Sequence, residues 1–226
     1  MLGRLFDQDS GGVAAFRDMT TARMAASLAE WVAMPFSDLP ASAAWRHRDA
    51  REGFEAVFLA ADGSGHRIEG HTAAVEDGQA WAVRYRIALD ERWITRTARV
   101  WGWSAVGRHE VALEADGAGR WQVDGTATPE LDGCLDVDLE SSACTNTVPV
   151  HRMRLGVGQA AEAPAVYVRA LDLAVERLDQ RYARVHDDGP RLRFDYRAPV
   201  FDYQDRLVYD AAGLVLEYPG IASRVL

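Results

Sequence analysis

The chain contains no lysine: all 25 basic residues among its 226 positions are arginine. Without a lysine amine the protein cannot form Schiff bases with carbonyl substrates, and it lacks the lysine of a phosphate-binding loop. Arginine supplies planar guanidinium groups instead, which hold carboxylates and phosphates through paired hydrogen bonds. Genome composition is the alternative explanation for the absence of lysine. In either case the basic side chains are suited to anchoring an anionic or polar group.

Cysteine is scarce as well, with only Cys134 and Cys144 in the sequence. Two cysteines ten positions apart match neither a zinc-binding spacing nor the framework of a small disulfide-rich protein. We expect both thiols to be reduced. The sequence predicts no metal site and no cofactor.

Long apolar runs are missing too, since no segment approaches the roughly 20 apolar residues of a membrane-spanning helix. Near the N-terminus, Asp7 and Asp9 occupy the stretch that a signal peptide keeps apolar. We therefore expect a cytoplasmic protein without membrane insertion. The net charge of -9 and the isoelectric point of about 5.1 argue against nucleic acid or an anionic membrane as partner, because both attract basic surfaces.

Hydrophobic patterning divides the chain into an N-terminal helical extension with a linker, residues 1–44, and a β domain, residues 45–226. A helix capped by Thr20 or Thr21 would bring one apolar face together. That face consists of Met24, Leu28, Trp31 and Val32. Because the polar face of this helix lacks a basic cluster, packing on the core of the domain is favoured over binding to a membrane surface.

From Trp45 onward the hydrophobic period changes to the two-residue alternation of β-strands. The clearest strand is Trp81–Leu89, in which Arg84 and Arg86 face away from the apolar residues. Asp-Gly pairs recur between the strand-like runs, as the tight turns of an antiparallel sheet require. The sequence therefore predicts a mainly β domain of antiparallel strands.

A second strand-like run, Trp93–Trp103, places Arg96 on the same side as Ile94, Ala98 and Val100. An arginine on an apolar face can anchor an anionic or sugar headgroup. The alternative is a structural ion pair with one of the acidic residues. Arg96 is therefore a candidate binding residue.

The segment Ser141–Leu155 interrupts the strand pattern and is called the insert below. Thr147 can cap a helical turn in which Pro149 falls in the first turn, where its missing N–H costs little. We predict a short helix enclosed by the sheet. Arg152 and Arg154 at its end are further candidates for binding a headgroup, with ion pairing again the alternative.

Aromatic residues could line a sugar- or lipid-binding cleft, and core packing is the alternative use of such side chains. The candidates are Trp93, Trp101 and Tyr85, with Trp103 and Trp121 as further possibilities.

Two carboxylates, Asp136 and Asp138, alternate along a predicted strand and so leave it on the same face, as an acid/base pair or a metal site would need. A solvated strand face would carry the same spacing. The sequence has no Gly-x-Ser-x-Gly elbow, phosphate loop or His-Glu-x-x-His, so no standard hydrolase or nucleotide-binding fold is indicated.

Several short motifs appear in a fixed order and together are similar to a bacterial family called putative glycolipid-binding proteins. They are Trp45-Arg46, Gly53-x-Glu55, Tyr85-Arg86-Ile87, Asp90-x-x-Trp93-x-Thr95-Arg96, Asp116-Gly117-x-Gly119-x-Trp121, Gly133-Cys134-x-Asp136-Val137-Asp138-Leu139, Thr145-Asn146-Thr147-Val148-Pro149-Val150, Gln180-x-Tyr182 and Gly213-Leu214-Val215-x-x-Tyr218-Pro219-Gly220. The resemblance spans about Trp45 to the C-terminus. It departs from the family at Ala143-Cys144, where the family usually has Pro-Phe.

The resemblance implies a spiral β-roll, in which a long antiparallel sheet wraps around a single helix, and a homodimer. It makes the insert a core element, with Thr145, Asn146 and Thr147 satisfying the buried ends of the helix. We expect a non-enzymatic binding protein that holds a glycolipid or another amphiphile between the sheet and the helix. The alternatives are a carbohydrate- or lipid-modifying hydrolase that uses Asp136 and Asp138, and a structural dimeric scaffold with no small ligand.

Overall fold

The computed structural model describes residues 36–61 and 63–225, so the helix predicted around Thr20 lies outside the described residues. In this part of the chain 17 strands surround one α-helix. The strands before the helix are β1 (Ser42–His47), β2 (Glu52–Ala61), β3 (His66–Glu76), β4 (Gln79–Leu89), β5 (Thr95–Ser104), β6 (Gly107–Ala115), β7 (Trp121–Val123), β8 (Thr126–Ala127) and β9 (Asp136–Leu139). After the helix, α1 (Thr147–Met153), come β10 (Ala160–Glu162), β11 (Ala165–Val168), β12 (Val175–Leu178), β13 (Arg181–Asp188), β14 (Arg191–Ala198), β15 (Tyr203–Tyr209), β16 (Val215–Tyr218) and β17 (Ala222–Arg224).

Fourteen of these strands form one antiparallel sheet in the order β10-β13-β14-β15-β16-β17-β1-β2-β3-β4-β5-β6-β7-β8. Strands β1 to β8 and β13 to β17 form two ladders of sequential hairpins, which meet where β1 pairs with β17, a junction that we call the seam. Trp45 lies opposite Arg224 in the seam, and its indole N–H donates to the carbonyl of Val215 at 2.8 Å. The predicted mainly β, antiparallel architecture with a single short helix is confirmed.

The alternation predicted for Trp81–Leu89 is confirmed in β4. Trp81, Val83 and Tyr85 are buried on its inner side, whereas Arg84 and Arg86 are exposed on its outer side. Such alternation buries one face of the sheet on a core and leaves the other face in water.

A second, three-stranded sheet has the order β12-β11-β9, with β9 and β11 parallel. All four residues of β9 and all four of β11 are buried. The insert connects β9 to the following strands through a 3₁₀ turn, Cys144–Asn146, and then α1.

Every residue from 141 to 151 is buried, which confirms the predicted short helix enclosed by sheet. The detail of its capping differs from the prediction. Asn146 is the N-cap and makes no side-chain cap hydrogen bond, whereas Arg154 ends the helix in a left-handed conformation, with φ 47°.

The start of β5 departs from the predicted pattern, since β5 begins at Thr95 rather than at Trp93. Ala88 pairs with Thr97 and Leu89 with Thr95, so Arg96 is an extra residue in a β-bulge. A bulge breaks the two-residue alternation, and Arg96 is consequently exposed, away from the buried face of Ala98 and Val100.

No helix within residues 36–61 and 63–225 has the length and apolar character needed to cross a membrane. Cys134 and Cys144 are both buried free thiols.

Candidate functional site

A buried carboxylate, Glu55, fixes the start of the insert. Its Oε1 accepts hydrogen bonds from the hydroxyls of Tyr85, at 2.6 Å, and Ser142. Its Oε2 accepts the backbone N–H of Ala143 at 2.9 Å. Burial raises the pKa of Glu55, whereas the hydrogen bonds from Ser142 and Tyr85 act in the opposite direction. Glu55 thus satisfies a buried backbone N–H just before the 3₁₀ turn of the insert.

Tyr85, a candidate ligand residue from the sequence, is 0% exposed and belongs to this polar network. Its ring lies in the core and its hydroxyl is bound to Glu55. The structure therefore places Tyr85 in the core, next to the start of the insert.

A bidentate ion pair between Asp136 and Arg152 connects β9 to the C-terminal end of α1. Arg152 Nε lies 2.8 Å from Asp136 Oδ1, and Arg152 Nη2 lies 2.6 Å from Asp136 Oδ2. The exposed fractions of the two side chains are 15% for Arg152 and 1% for Asp136. Burial raises the pKa of Asp136, while Arg152 acts to lower it. Arg152 is thus engaged in the structural ion pair that was the alternative to headgroup binding.

Asp138 lies two residues further along β9, and no arginine among the described residues forms a bidentate ion pair with it. Its Oδ1 accepts a hydrogen bond from the hydroxyl of Thr145 at 2.9 Å. Burial, with the charge of Asp136 as a smaller contribution, raises the pKa of Asp138 to about 6. Asp138 therefore keeps its proton to a higher pH than an ordinary aspartate, and the protonated carboxyl can donate as well as accept a hydrogen bond.

The Asp138 side chain lies at a cavity of about 220 Å³ between β9, β11, the insert and strands β14 to β16, which we call the tyrosine cleft. Its lining combines aromatic rings with groups of both charges. The residues that define it are Tyr167, Tyr196, Tyr203, Tyr218, Phe201, Asp138, Asn146, Arg51 and Arg169.

Three of its tyrosines pack against one another from different strands. The ring centroids of Tyr196 and Tyr203 are 5.9 Å apart, and Tyr218 lies 5.6 Å from Tyr203, nearly perpendicular to it at 74°. The Tyr203 hydroxyl donates to the Pro219 carbonyl at 2.8 Å, and the Tyr196 hydroxyl donates to Gln180 at 2.7 Å. These bonds hold the rings in place before any ligand arrives.

Two arginines line the tyrosine cleft, and each is paired with a glutamate: Arg51 Nε lies 3.6 Å from Glu76 Oε2, and Arg169 Nη2 lies 2.6 Å from Glu176 Oε1. Arg51 is 7% exposed and donates to the Glu140 carbonyl at 2.8 Å. The guanidinium of Arg169 lies 5.3 Å from the ring centre of Tyr167 and 5.4 Å from that of Phe201. The cleft thus offers aromatic faces, hydroxyls, a carboxyl and guanidinium groups within one small space.

A second cleft, of about 330 Å³, lies at the C-terminal end of α1 and brings together three predicted ligand residues, Trp93, Arg152 and Arg154. Trp93 has a positive φ of 64°, and its ring stacks between His66 at 4.3 Å and His151 at 3.9 Å. We call it the helix-end cleft. A bulky residue held at positive φ is strained, so the surrounding stack must fix it there.

His151 is neutral in this stack. Its Nε2 lies 2.8 Å from the Ala212 carbonyl, which can only accept, so Nε2 carries the proton. Burial lowers the pKa of His151 to about 4. The helix-end cleft therefore has Arg154 and Arg92 as cations, since Arg152 is occupied by Asp136.

The remaining two predicted ligand residues lie apart from both clefts. Arg96 is exposed, with its guanidinium over the backbone of Gly117. Trp101 lies on the outer face of the sheet beneath the guanidinium of Arg84, at 5.3 Å. The six predicted ligand residues are therefore not gathered in one site.

Sequence reasoning missed the tyrosine cleft, although one signal for it exists. Six of the seven tyrosines follow residue 160, whereas all seven tryptophans precede residue 122. Such separation indicates that the C-terminal half builds a different kind of aromatic environment. Among the described residues no group of three or more His, Cys, Asp or Glu side chains is placed to hold a metal ion.

Comparison with known proteins agrees with this architecture. A DUF1089 family protein from Pseudomonas aeruginosa, solved by crystallography, is 30% identical and superposes with a TM-score of 0.65 over 86% of this chain and 97% of that chain. A β-barrel-like protein of the domain of unknown function DUF1849 from Brucella abortus is 10% identical, with a TM-score of 0.48 over 84% and 96%. The latter likeness is too distant to inform fold or function.

No protein of curated function matches the chain significantly. The family model described as "Putative glycolipid-binding" matches residues 42–224, from the first strand of the sheet to the last. The chain therefore belongs to the putative glycolipid-binding family.

Proposed function

We propose that the protein is a non-enzymatic binding protein that takes the sugar headgroup of a glycolipid into the tyrosine cleft. The observation that carries this proposal is the cavity itself, in which tyrosine rings surround the carboxyl of Asp138 between the sheet and the insert. Aromatic faces pack on the apolar faces of sugars, while carboxyl, amide and guanidinium groups bond their hydroxyls. Membership of the family supports the same class of ligand.

The size of the tyrosine cleft limits which part of a glycolipid it holds. Sites for drug-sized molecules have volumes of about 300–1,000 Å³. A cavity of about 220 Å³ is smaller than this range, so it suits one headgroup-sized fragment. The alkyl chains would remain outside the cleft, and affinity would depend on the sugar more than on the chain.

The test is isothermal titration calorimetry, in which octyl glucoside is added to the protein below the critical micelle concentration of the detergent. Tetraethylene glycol monooctyl ether, which has the same alkyl chain and no sugar, is the control ligand. We expect Tyr218→Phe, which removes a hydroxyl from the cleft, to weaken binding of octyl glucoside about 10-fold. Tyr209→Phe also loses one buried hydroxyl, but Tyr209 does not line the cleft, so this variant should bind like the wild type. Equal binding of the two amphiphiles would refute the proposal.

A second candidate is glycoside hydrolysis by Asp136 and Asp138. The raised pKa of Asp138 favours it, since a general acid must hold its proton near neutral pH. The bidentate pair with Arg152 counts against it, because both oxygens of Asp136 are occupied and two available carboxyl groups are needed. Release of nitrophenol from nitrophenyl glycosides, abolished by Asp138→Asn, would favour hydrolysis over binding alone.

The same proposal includes a homodimer in the cytoplasm. Its support is the family resemblance for the dimer and the two free thiols for a reducing compartment. Sedimentation velocity of the purified chain and fractionation of cells would test these two points separately.

A further inference from the structure

The outer face of strands β1 to β5 carries large apolar side chains in register. One row of cross-strand neighbours runs Arg46, Phe54, Ala73, Ala82 and Trp103, one residue from each strand. The adjacent row runs Ala44, Ala56, His71, Arg84 and Trp101. We call this surface the outer arginine–aromatic face.

Its aromatic rings are exposed rather than packed. Phe54 is 53% exposed, Phe58 on the same side of β2 is 58% exposed, and Trp103 is 40% exposed. Phe54 and Trp103 lie three strand spacings apart, about 14 Å, with only the small side chains of Ala73 and Ala82 between them. Clustered exposed rings of this kind mark an interaction surface, whereas scattered single ones do not.

Uncompensated positive charge accompanies the rings. The guanidinium of Arg46 lies 5.1 Å from the ring centre of Phe54, and that of Arg84 lies 5.3 Å from the ring centre of Trp101. Within the described ranges neither arginine has a carboxylate at ion-pairing distance, in contrast to Arg86, whose Nε lies 3.1 Å from Glu69. On a chain of net charge -9, this face therefore concentrates free guanidinium groups.

The positive charge and the exposed aromatic rings together indicate which partner the outer arginine–aromatic face binds. A second copy that used the same face would place two arginine-bearing patches against each other, because a two-fold interface pairs a patch with itself. An anionic lipid surface instead offers phosphates to the guanidinium groups, and its headgroup layer accommodates exposed tryptophan and phenylalanine rings.

We propose that the outer arginine–aromatic face docks the protein on the surface of a membrane containing anionic phospholipid. The contact is peripheral, and it does not depend on sugar binding in the tyrosine cleft. It gives a glycolipid-binding protein a means of staying at the surface from which its ligand projects.

The experiment is sedimentation of the full chain with vesicles of phosphatidylcholine, alone or mixed equally with phosphatidylglycerol. We expect binding to the anionic vesicles only, and a decrease of about 30-fold in partitioning for Arg46→Ala/Arg84→Ala, since each arginine at an anionic surface contributes about five-fold. The matched control, Arg191→Ala/Arg197→Ala, loses two exposed arginines from β14 and should bind like the wild type. Phe54→Ser/Trp103→Ser should abolish the binding that survives at about 1 M salt, where charge is screened.

Three results would overturn the proposal. The first is absence of binding to anionic vesicles, and the second is an equal loss in the control variant, which would show a generic charge effect. The third is self-association without vesicles that Phe54→Ser/Trp103→Ser removes, which would assign the face to a second copy. Circular dichroism must be unchanged in all three variants, as expected for exposed side chains.

Discussion

Replacing Asp138 by asparagine should stabilise the protein at neutral pH. Asparagine has nearly the same shape and keeps a carbonyl oxygen that can accept the Thr145 hydroxyl. It also removes a carboxyl whose ionised form is disfavoured by burial, since the pKa of Asp138 is raised from 3.8 to about 6 in the folded protein. The folded state therefore binds this proton more tightly than the unfolded state does.

The sign and the size of the expected change in the free energy of unfolding follow from this pKa. A carboxyl with a raised folded-state pKa contributes stability below pH 3.8, and that contribution is lost as the pH rises to about 6. A difference of about 2 pKa units corresponds to about 3 kcal/mol. The free energy of unfolding of Asp138→Asn, relative to the wild type, should therefore rise by about 3 kcal/mol between pH 3.5 and pH 7.5. For a protein of this size that is a gain of about 6–12 °C in Tm at the higher pH.

The assay is urea denaturation followed by tryptophan fluorescence, for both proteins, at several pH values across this range. Asp132→Asn is the control, because Asp132 is exposed and its substitution should change the free energy of unfolding little. If Asp138→Asn were destabilised by an amount independent of pH, Asp138 would already be ionised at pH 3.5 and held by the cations of the cleft. The reasoning from burial would then be wrong.

Three further substitutions test the contacts of the insert, each by urea denaturation. Arg152→Ala should cost about 3–5 kcal/mol, because it leaves the carboxylate of Asp136 buried without a partner, and Asp136→Asn/Arg152→Gln should recover part of this loss. Tyr85→Phe should cost about 2 kcal/mol, because Glu55 loses one donor, and an unchanged stability would mean that this bond contributes nothing. Trp93→Ala should cost about 3–5 kcal/mol through lost packing, and a smaller loss would indicate that relief of the strain at positive φ offsets it.

Local patterns predicted much of the fold. The hydrophobic alternation in Trp81–Leu89 and its interruption at the insert both depend on residues close together in sequence, and both predictions are confirmed. The exposure of Arg96 could not be predicted in this way. It depends on a bulge in β5 relative to β4, and the sequence of β5 alone does not show that bulge.

The tyrosine cleft could not be predicted from local patterns. Asp138, Tyr167 and Tyr196 come from β9, β11 and β14, which meet only through the fold of two sheets and the insert. The net charge of -9 likewise does not reveal that Arg46 and Arg84 lie on one face of the sheet. Charge and aromaticity act through their position on the surface, and position is a tertiary property.

The seam between β1 and β17 joins the two hairpin ladders of the large sheet. Trp45 and Val215, which bond across it, are 170 positions apart, so closing this joint has the loop entropy of nearly the whole domain to overcome. If β17 were detached, β1 and β16 would become open edges with unpaired backbone groups in the middle of the sheet. The chain's resistance to aggregation is therefore expected to depend on the three residues of β17, Ala222–Arg224.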